Sequence, residues 1–311
     1  MSLVLRSRGL SKWYGEVIAV NDLDLAIDTG ITALLGPNGA GKSTLIGLVT
    51  GQLRATRGTV EVFGEPVWDN PALNARIGLC HQYDDFYEDM TAREFVRLMA
   101  RLSGFSRADS RRRADETLER VGLEAEARDR KIRGYSKGMR QRTKIAQALI
   151  HDPDLLLLDE PMTGLDPVGR HEVTRLIQDL AAAGKSVIVS THILHEVEAL
   201  TERILVLAQG RLVADGDLHE IRESLENHPY AIRVVCDRPR RLAEIFVALP
   251  GVSEVEVKDE TAGAEELVIR TKRADLVFAE LPRRLREEGI RATEISSPDD
   301  NLEAVFDFLV S

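Results

Sequence analysis

Long apolar runs are missing from this chain of 311 residues. The longest, such as Leu155 to Leu158, fall far short of the roughly 20 residues that cross a bilayer. No segment is therefore expected to span a membrane, and any transport role calls for a second polypeptide. Cysteine is scarce as well. Cys80 and Cys236 stand far apart in apolar, strand-like surroundings with no second cysteine or spaced histidine pair nearby. That excludes a disulfide framework and predicts two buried thiols in a reducing compartment. A surplus of positive charge is lacking too: the net charge of −10 disfavours a protein that coats phosphate backbones, and no direct nucleic-acid binding is expected. The basic clusters Arg111-Arg112-Arg113 and Arg128 to Arg133 read as solvated helix faces. Met1 to Arg6 carries no basic start, apolar core or small-residue cleavage site, so a cytoplasmic protein is expected.

What is present describes a folded α/β chain. Up to Gly30 the pattern is of short strands, including Val17 to Val20 and Leu23 to Ile27. A buried strand, Ile31 to Leu35, then runs into a glycine-rich loop and a helix ending near Thr50. Short β segments return between Arg57 and His81. From Thr91 to Ile150 the pattern turns helical, broken at Gly104 and Gly122. Strands at Leu155 to Asp159, Ser186 to Ser190 and Ile204 to Leu207 alternate with helices at Arg170 to Ala183 and Ile193 to Leu200, which predicts a parallel sheet covered on both faces. A hairpin turning at Gln209-Gly210 closes a domain spanning 1–218, with a helical subdomain at about 84–150. A polar linker is expected at 219–229. Residues 230–311 then read βαββαβ, the order of a small α+β ferredoxin-like domain, followed by a helix from Leu302 to Val310 capped by Ser297. That domain could bind a ligand, regulate turnover or strengthen a dimer.

Two motifs carry chemistry. Gly36-Pro37-Asn38-Gly39-Ala40-Gly41-Lys42-Ser43-Thr44 fits G-x-x-x-x-G-K-[ST] between a strand and a helix. Its glycines let backbone N–H groups face phosphate oxygens, Lys42 reaches the β and γ phosphates, and the Ser43 hydroxyl can ligate Mg²⁺. Asp159 closes the run of four leucines, placing a carboxylate at the C-terminal end of a buried strand where α/β sheets bind ligands and where it can hold Mg²⁺. Glu160 beside it is placed to orient or deprotonate a water. His192 and His195 with Glu196 also invite a metal reading, but no third ligand is apparent.

Between these motifs lies Tyr135-Ser136-Lys137-Gly138-Met139-Arg140-Gln141-Arg142, a Ser-x-Gly turn opening a helix. With the phosphate loop before it and Asp159-Glu160 after it, this order resembles the ATP-binding cassette (ABC) ATPases over roughly residues 3–218. The resemblance implies a P-loop ABC ATPase core with antiparallel β and helical subdomains, using ATP and Mg²⁺. It also implies roles for single residues. Tyr14 matches the aromatic that stacks on adenine, and Gln82 the glutamine that senses Mg²⁺ and the γ-phosphate and faces a transmembrane partner. Asp166, in Gly164-Leu165-Asp166-Pro167, matches the loop that crosses the dimer interface, and His192 the histidine that contacts the γ-phosphate. Ser136 and Gly138 keep the signature, whereas Tyr135, Lys137 and Met139 replace its usual Leu, Gly and Gln.

In that family the signature of one subunit completes the phosphate-loop site of another. One cassette here thus implies an ATP-dependent head-to-tail homodimer, with a heterodimer open. The signature variant and the tail from Asp300 to Phe306 resemble bacterial exporter ATPases, implying a separate transmembrane permease and a place on the inner face of the plasma membrane. Phe86, Tyr87, Met90 and Phe95 either meet that permease or pack under the helical subdomain. A soluble ABC ATPase serving ribosomes or DNA is the alternative.

Overall fold

The computed structural model describes residues 3–201, 203–217, 230–259 and 265–297. The chain divides into two compact units, Met1–Gly216 and Asp217–Ser311. The expected linker at 219–229, the helix from Leu302 to Val310 and the tail from Asp300 to Phe306 lie outside the described residues.

In the first unit β1 (Leu3–Tyr14), β2 (Val17–Asp28), β4 (Arg57–Val62) and β5 (Glu65–Pro66) form an antiparallel sheet ordered β2-β1-β4-β5. The sequence suggested two short pieces where β2 runs unbroken. Asp22, at φ 55°, absorbs the irregularity through a shift of register. A second sheet is ordered β10-β9-β3-β8-β7-β6 and is built from β3 (Ile31–Leu35), β6 (Ile77–Cys80), β7 (Leu155–Asp159), β8 (Ser186–Thr191), β9 (Arg203–Ala208) and β10 (Arg211–Asp217). Every pairing from β9 through β6 is parallel. Strands β9 and β10 meet at Gln209 and Gly210, both at positive φ, the backbone of a tight hairpin turn.

Burial on both faces explains the run of leucines in β7. Leu155 and Leu157 enter one core with Leu25, Ile27, Leu34 and residues of α1 (Lys42–Val49). Leu156 and Leu158 enter another, with Phe95, Leu118, Ile145 and Ile177. At about 1.5–3 kcal/mol for each buried leucine, β7 tolerates no polar residue until its end. The second core is closed by α3 (Ala92–Leu102), α4 (Arg107–Arg120), α5 (Ala125–Arg128), α6 (Lys137–Leu149) and α7 (Pro167–Ala182), the short α2 (Pro71–Asn74) lying earlier in the chain. Their starts follow local chemistry. Thr91 and Glu94 form a reciprocal capping box, and Ser106, Ser136 and Asp166 each cap the helix that follows.

Helix ends depart from expectation in small, explicable ways. α2 falls where only β segments were expected, started by the Asn70 cap and Pro71. α7 begins at Pro167 rather than Arg170 because Asp166 caps it. α8 (Leu194–Glu198) is shorter than Ile193 to Leu200: the Thr191 hydroxyl takes the Ile193 amide, and the Leu200 amide closes a tight turn on Val197.

The second unit contains β11 (Tyr230–Cys236), α9 (Pro239–Phe246), β12 (Val252–Asp259), β13 (Glu265–Thr271), α10 (Ala274–Glu287) and β14 (Ala292–Ser296). Its sheet is antiparallel and ordered β12-β13-β11-β14. Alternate residues Ile232 and Val234 of β11, and Leu267 and Ile269 of β13, pack on Leu242, Phe246, Val277 and Leu281 of the helices. Ser297, expected as a helix cap, donates its hydroxyl to the Ala231 carbonyl at 3.1 Å. Both cysteines are buried, and neither is in a disulfide.

Candidate functional site

Three neighbouring strands of the parallel sheet end at one edge. Leu35 of β3 lies in register with Thr191 of β8, and Asp159 of β7 with Ser190 of β8. The loop Gly36–Thr44, the Asp159-Glu160 pair and His192 therefore leave the sheet side by side. The loop is wedged between backbones: a Cβ on Gly36 would stand 2.5 Å from the Leu207 carbonyl, and one on Gly41, at φ 103°, 2.4 Å from the Ala19 carbonyl. Only glycine fits either place. Pro37 and Gly41 are half-buried and Ala40 is buried, whereas Asn38, Gly39 and Ser43 are exposed and Thr44 is half-buried. Gly41 precedes α1 without any side-chain cap, which leaves the first helical N–H groups free for an outside acceptor.

Lys42 is buried. Its ammonium donates to the Gly36 carbonyl at 2.6 Å and the Pro37 carbonyl at 3.1 Å, and pairs with Glu160 Oε1 at 3.3 Å. Glu160 is held just as firmly. At φ 51° it sits in the left-handed region, a conformation that costs a non-glycine residue about 1–3 kcal/mol and persists only where surroundings enforce it. Its amide donates to the Ser190 hydroxyl at 2.9 Å, and Oε2 accepts from Thr163 Oγ1 at 2.9 Å. His192 Nδ1 lies 2.7 Å from the same Oε2, a geometry in which Nδ1 carries the proton. Asp159, also buried, accepts from the Ser190 hydroxyl at 2.5 Å. The arrangement gathers a cation, two carboxylates, an imidazole and a capless helix start, which suits a phosphate chain with a divalent cation.

The structure thus brings Lys42, Asp159, Glu160 and His192 together. Ser190 and Thr163, which the sequence reading missed, tie them. Ser190 left a signal: it is the first polar residue to end the Val187-Ile188-Val189 run. Glu196 does not join a metal site, since its Oε2 accepts the Thr191 hydroxyl at 2.6 Å. Among the described residues no cluster of His, Cys, Asp and Glu could hold a metal by itself.

Tyr14 is 47% exposed at the tip of the β1–β2 hairpin, with Lys12 Nζ 5.1 Å from its ring centre. Val17 and Ile18 are exposed beside it, and β2 leads directly to Ala19 against Gly41. Ser136 is exposed and caps α6 by accepting the Met139 amide at 3.3 Å; Gly138 is half-buried. Tyr135 is a core anchor, its hydroxyl donating to the Ala127 carbonyl at 2.5 Å, and burial pushes its pKa up. Met139 packs on the helical core, while Lys137 lies across Gly164, its Nζ 3.0 Å from where a Cβ would be. Asp166 Oδ1 accepts the Gly169 amide at 2.8 Å.

Gln82 follows β6 and is half-buried. The segment after it divides. Phe95 is buried with the Phe86 ring edge-on at 5.1 Å, and Met90 packs on the same core, whereas Tyr83 and Tyr87 are 76% and 61% exposed. Cys80, beneath this segment, has its thiol pushed up to about 12 by burial, so it stays protonated.

The ABC transporter family model matches residues 20–163. The daunorubicin/doxorubicin resistance ATP-binding protein of Streptomyces peucetius is 40% identical over 83% of this chain and 79% of its own length. A Nod factor export ATP-binding protein of Cupriavidus metallidurans is 39% identical over 72% of this chain and 74% of its own. Among solved structures, an ATP-binding subunit of an ABC transporter superposes with a TM-score of 0.64 at 32% identity, covering 71% of this chain and 93% of that one. A dimeric ATP-binding cassette in a post-hydrolysis state, bound to ADP and Pi, gives a TM-score of 0.64 at 27% identity, covering 69% and 98%.

Proposed function

Because this chain belongs to the ABC transporter family of ATP-binding subunits, we propose that two copies close head-to-tail, the signature of each completing the phosphate site of the other. The chain is an ATP-binding and ATP-hydrolysing cassette. Among its described residues no helix is long and apolar enough to cross a membrane. The dimeric cassette among its structural relatives supports pairing, and the drug-resistance and Nod-factor-export roles of its sequence relatives favour an exporter over a ribosome- or DNA-associated role. Its partner is then a separate permease, docked near Gln82 and the exposed Tyr83 and Tyr87, with the cassette on the inner face of the plasma membrane. A heterodimer with a related subunit would use the same chemistry.

One observation carries the assignment: Glu160 is held at a strand end, in a strained backbone, with Lys42 at 3.3 Å and His192 at 2.7 Å. In this reading the backbone of Gly36 to Gly41, with the amides of Lys42, Ser43 and Thr44, binds the phosphates, and Tyr14 stacks on the adenine. Ser43, Gln82 and Asp159 would hold Mg²⁺, which supplies neutralisation of phosphate charge. Glu160 orients the attacking water and takes its proton, and His192 fixes the carboxylate through Nδ1. Ser136, Gly138 and Asp166 face the nucleotide of the second copy.

Glu160→Gln is the direct test. It keeps the shape but not the basicity, so ATP affinity should stay within about twofold while turnover falls about 100-fold or more. A dimer that appears on gel filtration only with ATP should accumulate. Turnover at the wild-type rate would remove Glu160 from the role assigned here.

A further inference from the structure

α6 carries a buried lysine with no part in the phosphate site. Lys144 is 7% exposed, on a buried side of the helix that also carries Gln141, Thr143, Ile145 and Ala148. Lysine is almost never buried without partners, and the partners here are specific. Its ammonium donates to the His81 carbonyl at 3.2 Å and the Gln82 carbonyl at 3.0 Å, and lies 3.0 Å from Asp84 Oδ1. All three of its protons are thereby spent on one loop. One turn earlier Arg140 makes a forked pair with Glu88 at 2.7 and 2.8 Å and stands 3.7 Å from Asp84 Oδ2. Gln141 reaches the Cys80 sulfur at 3.6 Å. Residues on one stretch of α6 thus grip the segment from Cys80 to Glu88 at successive points, while Ser136 caps the same helix two turns away.

We propose that Lys144 is a positioning residue that fastens the backbone of Gln82 to the signature helix, so that Gln82 and Ser136 move as one body. This rests on the nucleotide roles given to those two residues above. Any buried ammonium needs acceptors, and here all three come from one loop at least 60 residues away in sequence. Two carbonyls and a carboxylate converging on one ammonium fix that loop's path, and a misplacement of about 1 Å near reacting groups can cost about 100-fold in rate. The consequence is directional: a displacement of Tyr83 to Glu88 reaches Ser136 through Lys144 and Arg140, without passing through the phosphate loop.

Lys144→Met in the full chain keeps the packing volume and removes the three donors. Backbone amides in residues 82–88 should exchange with solvent about tenfold faster, while those of β7 are unchanged. The kcat for ATP should fall about tenfold with KM within about twofold, because the loop is misplaced and the phosphate loop is not. Unchanged exchange in residues 82–88, or loss of stability with kcat intact, would overturn the proposal and leave a structural lysine. If Lys144→Met does not fold, Asp84→Ala, on an exposed loop, removes the carboxylate shared by Lys144 and Arg140 and should give the same exchange pattern at smaller amplitude. Absence of that pattern there also overturns it. Wild-type turnover separates the two failures: a wild type without ATPase activity would sink the site reading, and the exchange measurement would still decide the clamp.

Discussion

The two ends of this chain proposed to face nucleotide differ in how completely they are built. At the strand ends Lys42, Asp159, Glu160, Thr163, Ser190 and His192 satisfy one another within one chain. At the head of α6, Ser136 and Lys137 are exposed; among the described residues the Ser136 hydroxyl makes only its cap bond and Lys137 has no acidic partner. The first end is organised by the chain's own side chains. The second presents a hydroxyl, a helix start and a cation, which is what the proposed head-to-tail pair requires of it.

The largest effect is expected from separating the cap at Ser136 from its proposed service to another copy. Ser136→Asp keeps a good N-cap, so the thermal midpoint should move by no more than about 2 °C. The added carboxylate would face phosphate, and turnover should fall about 100-fold. Lys42→Ala should be equally inactive for the opposite reason. Mixed in equal amounts, the two inactive variants form some dimers with one intact site, restoring about a quarter of the wild-type rate if copies pair at random. No recovery on mixing would mean that Ser136 serves its own chain.

A milder effect is expected within the first end. Tyr14 is not enclosed like Lys42; it stands on a hairpin tip with Val17 and Ile18. Tyr14→Ala should raise KM for ATP about tenfold, in line with about 1–3 kcal/mol for a stacked base, and leave kcat within about twofold. A fall in kcat with KM unchanged would place Tyr14 outside the adenine site.

How much of this was legible beforehand follows the range of the interactions. The phosphate loop and Asp159 are local: a glycine spacing and an apolar run ending in a carboxylate already fix the chemistry. The parallel sheet was legible because β7 and β8 bury both faces and so lose their alternation. Glu160 was found by adjacency, but its left-handed backbone was not, because Ser190 imposes it from another strand. Lys144 left little mark, because Arg140 and Arg142 stand beside it on the same helix and two of its three partners are backbone carbonyls, which carry no residue identity. The fate of Phe86, Tyr87, Met90 and Phe95 stayed open for a similar reason. Only the packed helices decide that Phe95 is core and Tyr87 is not.

The smallest expected effect lies at the opposite edge of the same sheet, where β6 and β7 begin. His151 is half-buried there, its Nε2 3.0 Å from the Ile77 carbonyl. Burial holds its pKa below the usual 6.5, outweighing the Ile77 hydrogen bond and Asp152, which act the other way. The folded protein therefore resists the proton that the unfolded chain accepts, and stability rises with pH where the unfolded state binds more protons. Stability should be flat above the unfolded value and decline as pH falls through it towards the lower folded value. Thermal midpoints taken from about pH 7.5 to 5.5, across histidine's ordinary range, should fall less in His151→Asn than in the wild type. Turnover of the folded variant at neutral pH should match the wild type, since this edge touches none of the groups gathered around Glu160. An equal fall in both proteins would assign the acid sensitivity to other groups. A loss of turnover would show that the two edges of the sheet are not independent.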